Sequence, residues 1–169
     1  MFFKFFTTPR GATGRPSVVI KMTTDEGIVG WGQSVPIATW SDETMEGATL
    51  ALRNYFTPVL LSRDPLDRAA CHAVMDAAIR PNFSTGMPLT RAGLDMALWD
   101  IAGKASDKSL AELWGRPRRG TLELSWTVNV KTLDDVAESV AKGKALGYRN
   151  FNVKVAPNPA FDREVVGLV

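Results

Sequence analysis

Phe151-Asn152-Val153-Lys154-Val155 is the stretch on which the reading of this chain turns. Successive side chains of a strand point to opposite faces. Phe151, Val153 and Val155 therefore share one face, and Asn152 and Lys154 the other. Before it, Thr132 to Leu146 has the pattern of an amphipathic helix, closed by a turn at Gly147; after Pro157 and Pro159 a further helical segment begins. Helix, strand, helix is the rhythm of a parallel α/β unit. When such units close into a barrel, the helices cover the outer strand faces and reactive groups gather at the C-terminal strand ends. Lys154 is then an inward lysine near a strand end, where an amine can be desolvated and tuned to act as a base. On these five residues alone, a solvated lysine on a half-exposed strand is the plainer reading.

Upstream of this unit, Leu122 to Val130 is predicted as a strand with Trp126 and Thr127 near its middle, and Thr132 as the cap of the following helix. Asp134 and Asp135 stand in that helix's first turn, where the dipole favours anions. Two parallel strands cannot bury both faces of a sheet. Residues 121–169 are thus expected to be the front part of a longer fold, and on the barrel reading they are the first βα units of a (β/α) barrel, truncated.

The front of the chain has a different grammar. Phe2 to Thr8, Ser17 to Thr23 and Ile28 to Gln33 read as strands, the last two joined by a turn at Asp25-Glu26-Gly27. They predict a three-stranded antiparallel sheet with loops at Thr8–Arg15 and Val35–Asp42. A helix capped by Ser41 or Asp42 follows to about Phe56, with a break at Pro58. A second runs from a cap at Asp64 to Arg80, with Leu66, Ala70, Ala73, Val74 and Ala77 as its apolar face. The third is the strongest: Leu89, Ala92, Met96, Trp99 and Gly103 recur at helical spacing, and the small Ala92 and Gly103 invite close packing. After a short helix at Ser109–Leu113, the basic run Trp114 to Gly120 reads as a linker, which sets the expected domains at 1–115 and 121–169.

Composition narrows the function classes. Of 169 residues, 45% are hydrophobic and 22% charged, an ordinary globular balance. A net charge of +2 gives no reason to expect nucleic acid or a membrane surface as partner. The single cysteine, Cys71, excludes an intrachain disulfide, and the single histidine, His72, excludes a histidine metal site. Cys71 reads as a packing residue and His72 as solvated, while Asp95 and Asp100 read equally well as solvated or capping carboxylates. No apolar run is long enough to span a membrane, and the N-terminus lacks a signal-peptide pattern, so a cytoplasmic protein is expected.

The run Arg91-Ala92-Gly93-Leu94-Asp95-Met96-Ala97-Leu98-Trp99-Asp100-Ile101-Ala102-Gly103-Lys104, the ending Leu113-Trp114-Gly115 and the strand Phe151–Val155 carry a resemblance. They are similar to motifs of the enolase superfamily, in its mandelate racemase/muconate lactonizing enzyme group. The resemblance implies an α+β capping domain followed by the start of the barrel. It implies abstraction of a proton alpha to a carboxylate, as in dehydration or racemization/epimerization of an acid sugar or similar small-molecule acid. Cycloisomerization, amino-acid epimerization and a truncated, non-catalytic chain are the alternatives. It further implies magnesium as cofactor, with ligands beyond residue 169, and a homo-oligomer when complete. The proton-transfer base falls on Lys154. Asn152 stands where many members carry the first lysine of that strand motif, and it can offer a hydrogen bond but no charge. The family's substrate-shaping loops, which close over the barrel mouth, fall on Thr8–Arg15 and Val35–Asp42, which makes Arg10, Arg15 and Trp40 candidates for substrate binding. Trp126 and Thr127 on the first barrel strand are candidates too, with core packing as the competing reading for Trp126.

Overall fold

The computed structural model describes residues 6–7, 13–14, 16–82, 84–129, 132–155 and 158–169. The chain divides into two compact units, Met1–Pro117 and Arg118–Val169. The architecture is an α+β sheet-and-helix region followed by partial β/α barrel units.

In the first unit, β1 (Phe6–Thr7) pairs with β2 (Thr13–Gly14), and β3 (Val18–Thr23) pairs antiparallel with β4 (Val29–Ser34). Strand pairing among the described residues is thus two two-stranded ladders, where one three-stranded sheet is expected from the sequence; Phe2–Phe5 lie outside the described residues. The β3–β4 turn closes as expected: Gly27 takes φ +83°, a conformation open to glycine without a Cβ penalty. In β4, burial alternates, with Gly30, Gly32 and Ser34 inward and Trp31 and Gln33 outward.

Helix α1 (Met45–Ala51) starts at Thr44, whose hydroxyl accepts the Gly47 N–H. Pro58 does not break the helical run. The Thr57 N–H bonds the carbonyl of Leu52, five residues back, in a π-helical turn over Leu52–Phe56, and Pro58 enters the first turn of α2 (Thr57–Leu60). Helix α3 (Arg68–Ala78) begins later than the sequence predicts, capped by Asp67; Asp64 instead accepts the Leu66 N–H in the preceding turn. Its buried residues are Cys71 and Met75, whereas Ala73 and Ala77 of the expected face are exposed. The face is set by Phe56, Met75 and Leu94 meeting in one apolar cluster with Ala51 and Leu52.

Helix α4 (Pro88–Ser106) organises this unit. It buries Thr90, Gly93, Leu94, Ala97, Leu98 and Ile101. The stripe expected from the sequence is the other one: Ala92 and Met96 are exposed. Both stripes are apolar, so spacing alone cannot rank them. Of the close approaches predicted at Ala92 and Gly103, the one at Gly103 is to the Lys108 carbonyl, and the approach to the sheet occurs at Gly93, which lies against Gly32 and Gln33 of β4, while Gly30 lies against Ala97 and Ile101. A Cβ on Gly32 would collide with the Gly93 carbonyl, and one on Gly93 would stand 2.7 Å from Ile20 Cδ1. Helix α5 (Leu110–Leu113) is opened by a capping box between Ser109 and Glu112.

The second unit holds β5 (Ser125–Asn129), α6 (Leu133–Ala145), β6 (Asn150–Lys154) and α7 (Pro159–Gly167). β5 and β6 pair in parallel, Trp126 opposite Phe151 and Thr127 opposite Asn152. β5 is shorter than the sequence predicts: Leu122 and Leu124 are exposed ahead of it, and Val130 lies outside the described residues. Thr132 caps α6 by accepting the Asp135 N–H, and Gly147 at φ +86° ends it. Val128, Val136, Val140 and Val165 form the core. Gly143 lets α6 descend onto the strands, since a Cβ there would stand 2.7 Å from Phe151 and 2.9 Å from Trp126. Among the described residues, no helix is long and apolar enough to cross a membrane.

Gly32→Ala is expected to destabilise the first unit by about 3 kcal/mol, because the methyl would run into the α4 backbone at Gly93 and Ala97, which cannot give way as a side chain can. Gly120→Ala, with nothing within 4 Å, is the control and is expected to be neutral. Thermal melts of both variants against the parent chain check this; equal midpoints for all three would count against the close packing.

Candidate functional site

In β6 the alternation is regular: Phe151 and Val153 are half-buried, and Asn150, Asn152 and Lys154 are exposed. The buried side packs on the helices, with Phe151 and Val153 joining the valine core. The opposite face carries Asn152, Lys154 and, across the parallel pair, Thr127. Lys154 is the last residue of β6, at the strand's C-terminal end. Three sequence candidates therefore share one face. Val155, expected to follow Phe151 and Val153 inward, lies past the strand end and is exposed.

Trp126 is on the other face. Its indole N–H donates to Ser139 Oγ of α6 at 3.1 Å, and its ring packs 5.2 Å from that of Tyr148. It is partly buried and packs against the valine core, on the face turned away from Lys154. A cleft lined by Glu123, Leu124, Tyr148, Arg149 and Asn150 lies at the N-terminal ends of the strands. That is the end of a βα unit that carries stability rather than chemistry.

In the first unit, Trp40 is 56% exposed at the tip of the segment between β4 and α1. Arg10 and Arg15 lie outside the described residues. The segment's exit is fixed by Glu43, which the sequence reading did not single out. Glu43 is buried, and its carboxylate accepts the Leu89 N–H (2.6 Å), the Thr90 N–H (2.9 Å) and the Thr90 hydroxyl (2.5 Å). It caps α4 from outside that helix. One signal was legible: Met87-Pro88 opens α4 with no Ser, Thr, Asp or Asn at the cap position, so the free N–H groups need a partner from elsewhere.

The carboxylates of the α4 motif hold the fold. Asp100 accepts the Trp31 N–H at 2.8 Å and pairs with Lys104 at 2.6 Å, while Lys104 Nζ also donates to the Val29 carbonyl. The Lys104 hydrogen bond holds the Asp100 carboxyl below its usual pKa, and the Trp31 N–H adds to this against the opposing effect of burial. Asp95 accepts from His72 Nε2 at 2.8 Å, so His72, expected to be solvated, is half-exposed and paired. This pair is one rung of three along antiparallel α3 and α4. Arg91 pairs with Asp76 on one side of it, and the Arg68 guanidinium stacks 3.2 Å over the Trp99 ring on the other. Cys71 is buried, and burial raises its thiol pKa, with the Asp67 and Asp64 charges adding to the shift. A protonated, enclosed thiol is a packing group. Among the described residues, no group of three or more His, Cys, Asp or Glu side chains is placed to hold a metal ion. They do not make a magnesium site.

Residues 6–115 match the family described as mandelate racemase / muconate lactonizing enzyme, N-terminal domain. The chain is 30% identical over 143 residues to the N-succinyl-L-Arg/Lys racemase of Bacillus cereus, covering 85% of this chain and 37% of that protein. The crystal structure of that racemase superposes with a TM-score of 0.82 at 28% identity, over 94% of this chain and 42% of the other. A chloromuconate cycloisomerase of Cupriavidus necator is 32% identical over 154 residues, 89% of this chain and 40% of its own. An enolase-superfamily member of Roseovarius nubinhibens, solved with magnesium, superposes with a TM-score of 0.80 at 26% identity, over 90% of this chain and 40% of that one. The chain thus spans about two fifths of the length of the relatives it matches.

The Asp100 pairing generates a pH effect of definite sign. Its folded-state pKa lies below the unfolded one, so its stabilisation is present above the ordinary carboxylate range and is lost as pH falls through the depressed value. Asp100→Asn is expected to cost roughly 1 kcal/mol near neutral pH, discounted for exposure, and to flatten the acid limb of the stability curve. Denaturant melts from neutral pH to about pH 3 check it, the lower limit chosen from the usual carboxylate range. Parallel curves for the two proteins would overturn the assignment.

Proposed function

The chain belongs to the mandelate racemase/muconate lactonizing enzyme family of the enolase superfamily, and from that premise we propose that it carries the proton-transfer base of a carboxylate-processing enzyme. The reaction is abstraction of the proton alpha to the carboxylate of a small acid. The supporting observation is Lys154 as the last residue of β6, on the face turned away from the helices and shared with Asn152 and Thr127.

In this reading the Lys154 amine takes the α-proton, and the electron pair of the broken C–H bond passes into the carboxylate as an enediolate. Return of a proton from the same side restores the substrate; return from the opposite side inverts the centre. The donor on that opposite side is not one of the described residues. Asn152 can orient the substrate carboxylate or the lysine by hydrogen bonds while adding no positive charge. Thr127 offers a hydroxyl on the same face. Magnesium, where the full-length protein uses it, supplies charge for the carboxylate oxygens, from ligands other than the described residues.

Racemization or epimerization, with acid-sugar dehydration beside it, is the first reading. Cycloisomerization or amino-acid epimerization is the second, favoured by the kinds of relatives that match: a racemase of N-succinylated Arg and Lys and a cycloisomerase. The 1–115 segment is read as the capping domain and 121–169 as the start of the barrel, with Arg10, Arg15 and Trp40 in loops that shape substrate choice.

The experiment is deuterium exchange at carbon alpha, followed by NMR, in a protein extending over the relatives' full length and offered N-acyl amino acids and acid sugars. Lys154→Met and Lys154→Ala are expected to slow exchange on one face by roughly 100-fold or more, the usual contribution of a general base. Asn152→Lys is expected to move the pH–rate profile to lower pH by adding a neighbouring cation. Undiminished exchange in both Lys154 variants would sink the assignment.

A further inference from the structure

The segment between β4 and α1 has buried feet and an exposed tip. Ser34 and Pro36 are buried at its entry and Glu43 at its exit, while Ala38, Thr39 and Trp40 are exposed. Three consecutive residues clip it. The Ser41 hydroxyl accepts the Ile37 N–H at 3.1 Å and shares its proton between the carbonyls of Ile37 (3.0 Å) and Glu43 (3.1 Å). The Trp40 and Ser41 N–H groups both donate to the Ile37 carbonyl at 2.8 Å. Asp42 accepts from the Thr85 hydroxyl at 3.1 Å. Glu43 then places its carboxylate on the first turn of α4.

The other side of that last contact is under strain. Met87 sits at φ +60°, a left-handed conformation that side chains other than glycine rarely adopt. Just beyond it, the Leu89 and Thr90 N–H groups meet the two oxygens of one carboxylate, Oε1 and Oε2 of Glu43. An anion at a helix N-terminus is favoured by the dipole, and a buried carboxylate requires several donors at once. Glu43 meets both conditions, so its backbone cannot shift without leaving a buried charge short of donors.

We propose that Glu43 is a positioning residue for substrate. By capping α4 from a distance it holds the 35–42 turn, and Trp40 at its tip, in one preformed arrangement, so that the turn acts as a fixed wall rather than a closing lid. The proposal rests on the reading that this turn takes part in substrate choice. It differs from that reading in assigning the order of the turn to a residue that need not touch substrate. Ser41 carries the constraint across the turn.

Amide exchange on the 169-residue chain tests the link itself. Glu43→Gln is expected to speed exchange at Leu89 and Thr90 and, together with them, at Trp40 and Ser41, by about tenfold, while the Trp31 amide, held by Asp100, keeps its rate. Faster exchange at Leu89 and Thr90 with no change at Trp40 and Ser41 would overturn the proposal, since Glu43 would then be a helix cap and nothing more. If Glu43→Gln loosens the whole unit, Ser41→Ala decides. It leaves the cap intact and is expected to release Trp40 alone, and an unchanged Trp40 rate there also overturns the proposal. In the full-length protein, assayed on N-succinyl-arginine, Glu43→Gln and Trp40→Ala are each expected to raise KM about tenfold with kcat within about twofold. The double variant should be no worse than either alone, as for residues acting through one contact. A coupled exchange response with KM unmoved would leave the positioning link standing and refute the substrate role of the turn.

Discussion

Helix α4 can lie on β4 only because three positions carry no side chain. Gly30, Gly32 and Gly93 bring the two backbones to a separation at which any Cβ meets a carbonyl or an isoleucine. Much of the first unit depends on that approach. It brings Asp100 within reach of the Trp31 N–H and Lys104 within reach of the Val29 carbonyl, so that polar groups at the strand's margin are paired by the helix. It also leaves Leu94 free to reach the apolar cluster around Phe56 and Met75. Larger residues at the contact would bury more apolar area but would separate the backbones and leave the Trp31 and Val29 groups without these partners. At this interface hydrogen-bond reach has decided against volume.

The strand faces of the second unit rest on a simpler rule, the two-residue period of a strand. Because Phe151 and Val153 are drawn into the valine core, Asn152 and Lys154 must face away from it, and the parallel register puts Thr127 beside Asn152. The shared face of Asn152 and Lys154 was legible in five residues; the place of Thr127 beside it was not, since register is set between strands. Trp126 obeys the same rule from the adjacent strand, and its partner Phe151 tells which face it takes. Core packing, which the sequence already offered for Trp126 beside substrate contact, is the reading that this pairing favours.

Other features were illegible for identifiable reasons. Helix α4 carries two apolar stripes, and which one turns inward depends on glycines in a strand some sixty residues earlier, about the distance at which local spacing says nothing. Pro58 marked a break to the eye, yet a one-residue shift in hydrogen-bond register at Thr57 absorbs it. Glu43 sits in a polar run where a carboxylate attracts no notice, and its partners are 46 and 47 residues away. The acidic residues around α4 are committed to structure: Glu43 at its start, Asp76 and Asp95 along its flank, Asp100 against the strand.

The three rungs between α3 and α4 step evenly in opposite directions: Arg68 with Trp99, His72 with Asp95, Asp76 with Arg91. Each step is four residues on each helix, close to one turn. A single-residue deletion inside α3 would rotate everything beyond it by about 100° and mismatch the remaining rungs. Lengthening the connection between Ala78 and Pro88 leaves all three pairings intact. Lineages carrying this domain can therefore drift in length at that connection while the two helices keep a fixed count, and alignments of its descendants should place their gaps there.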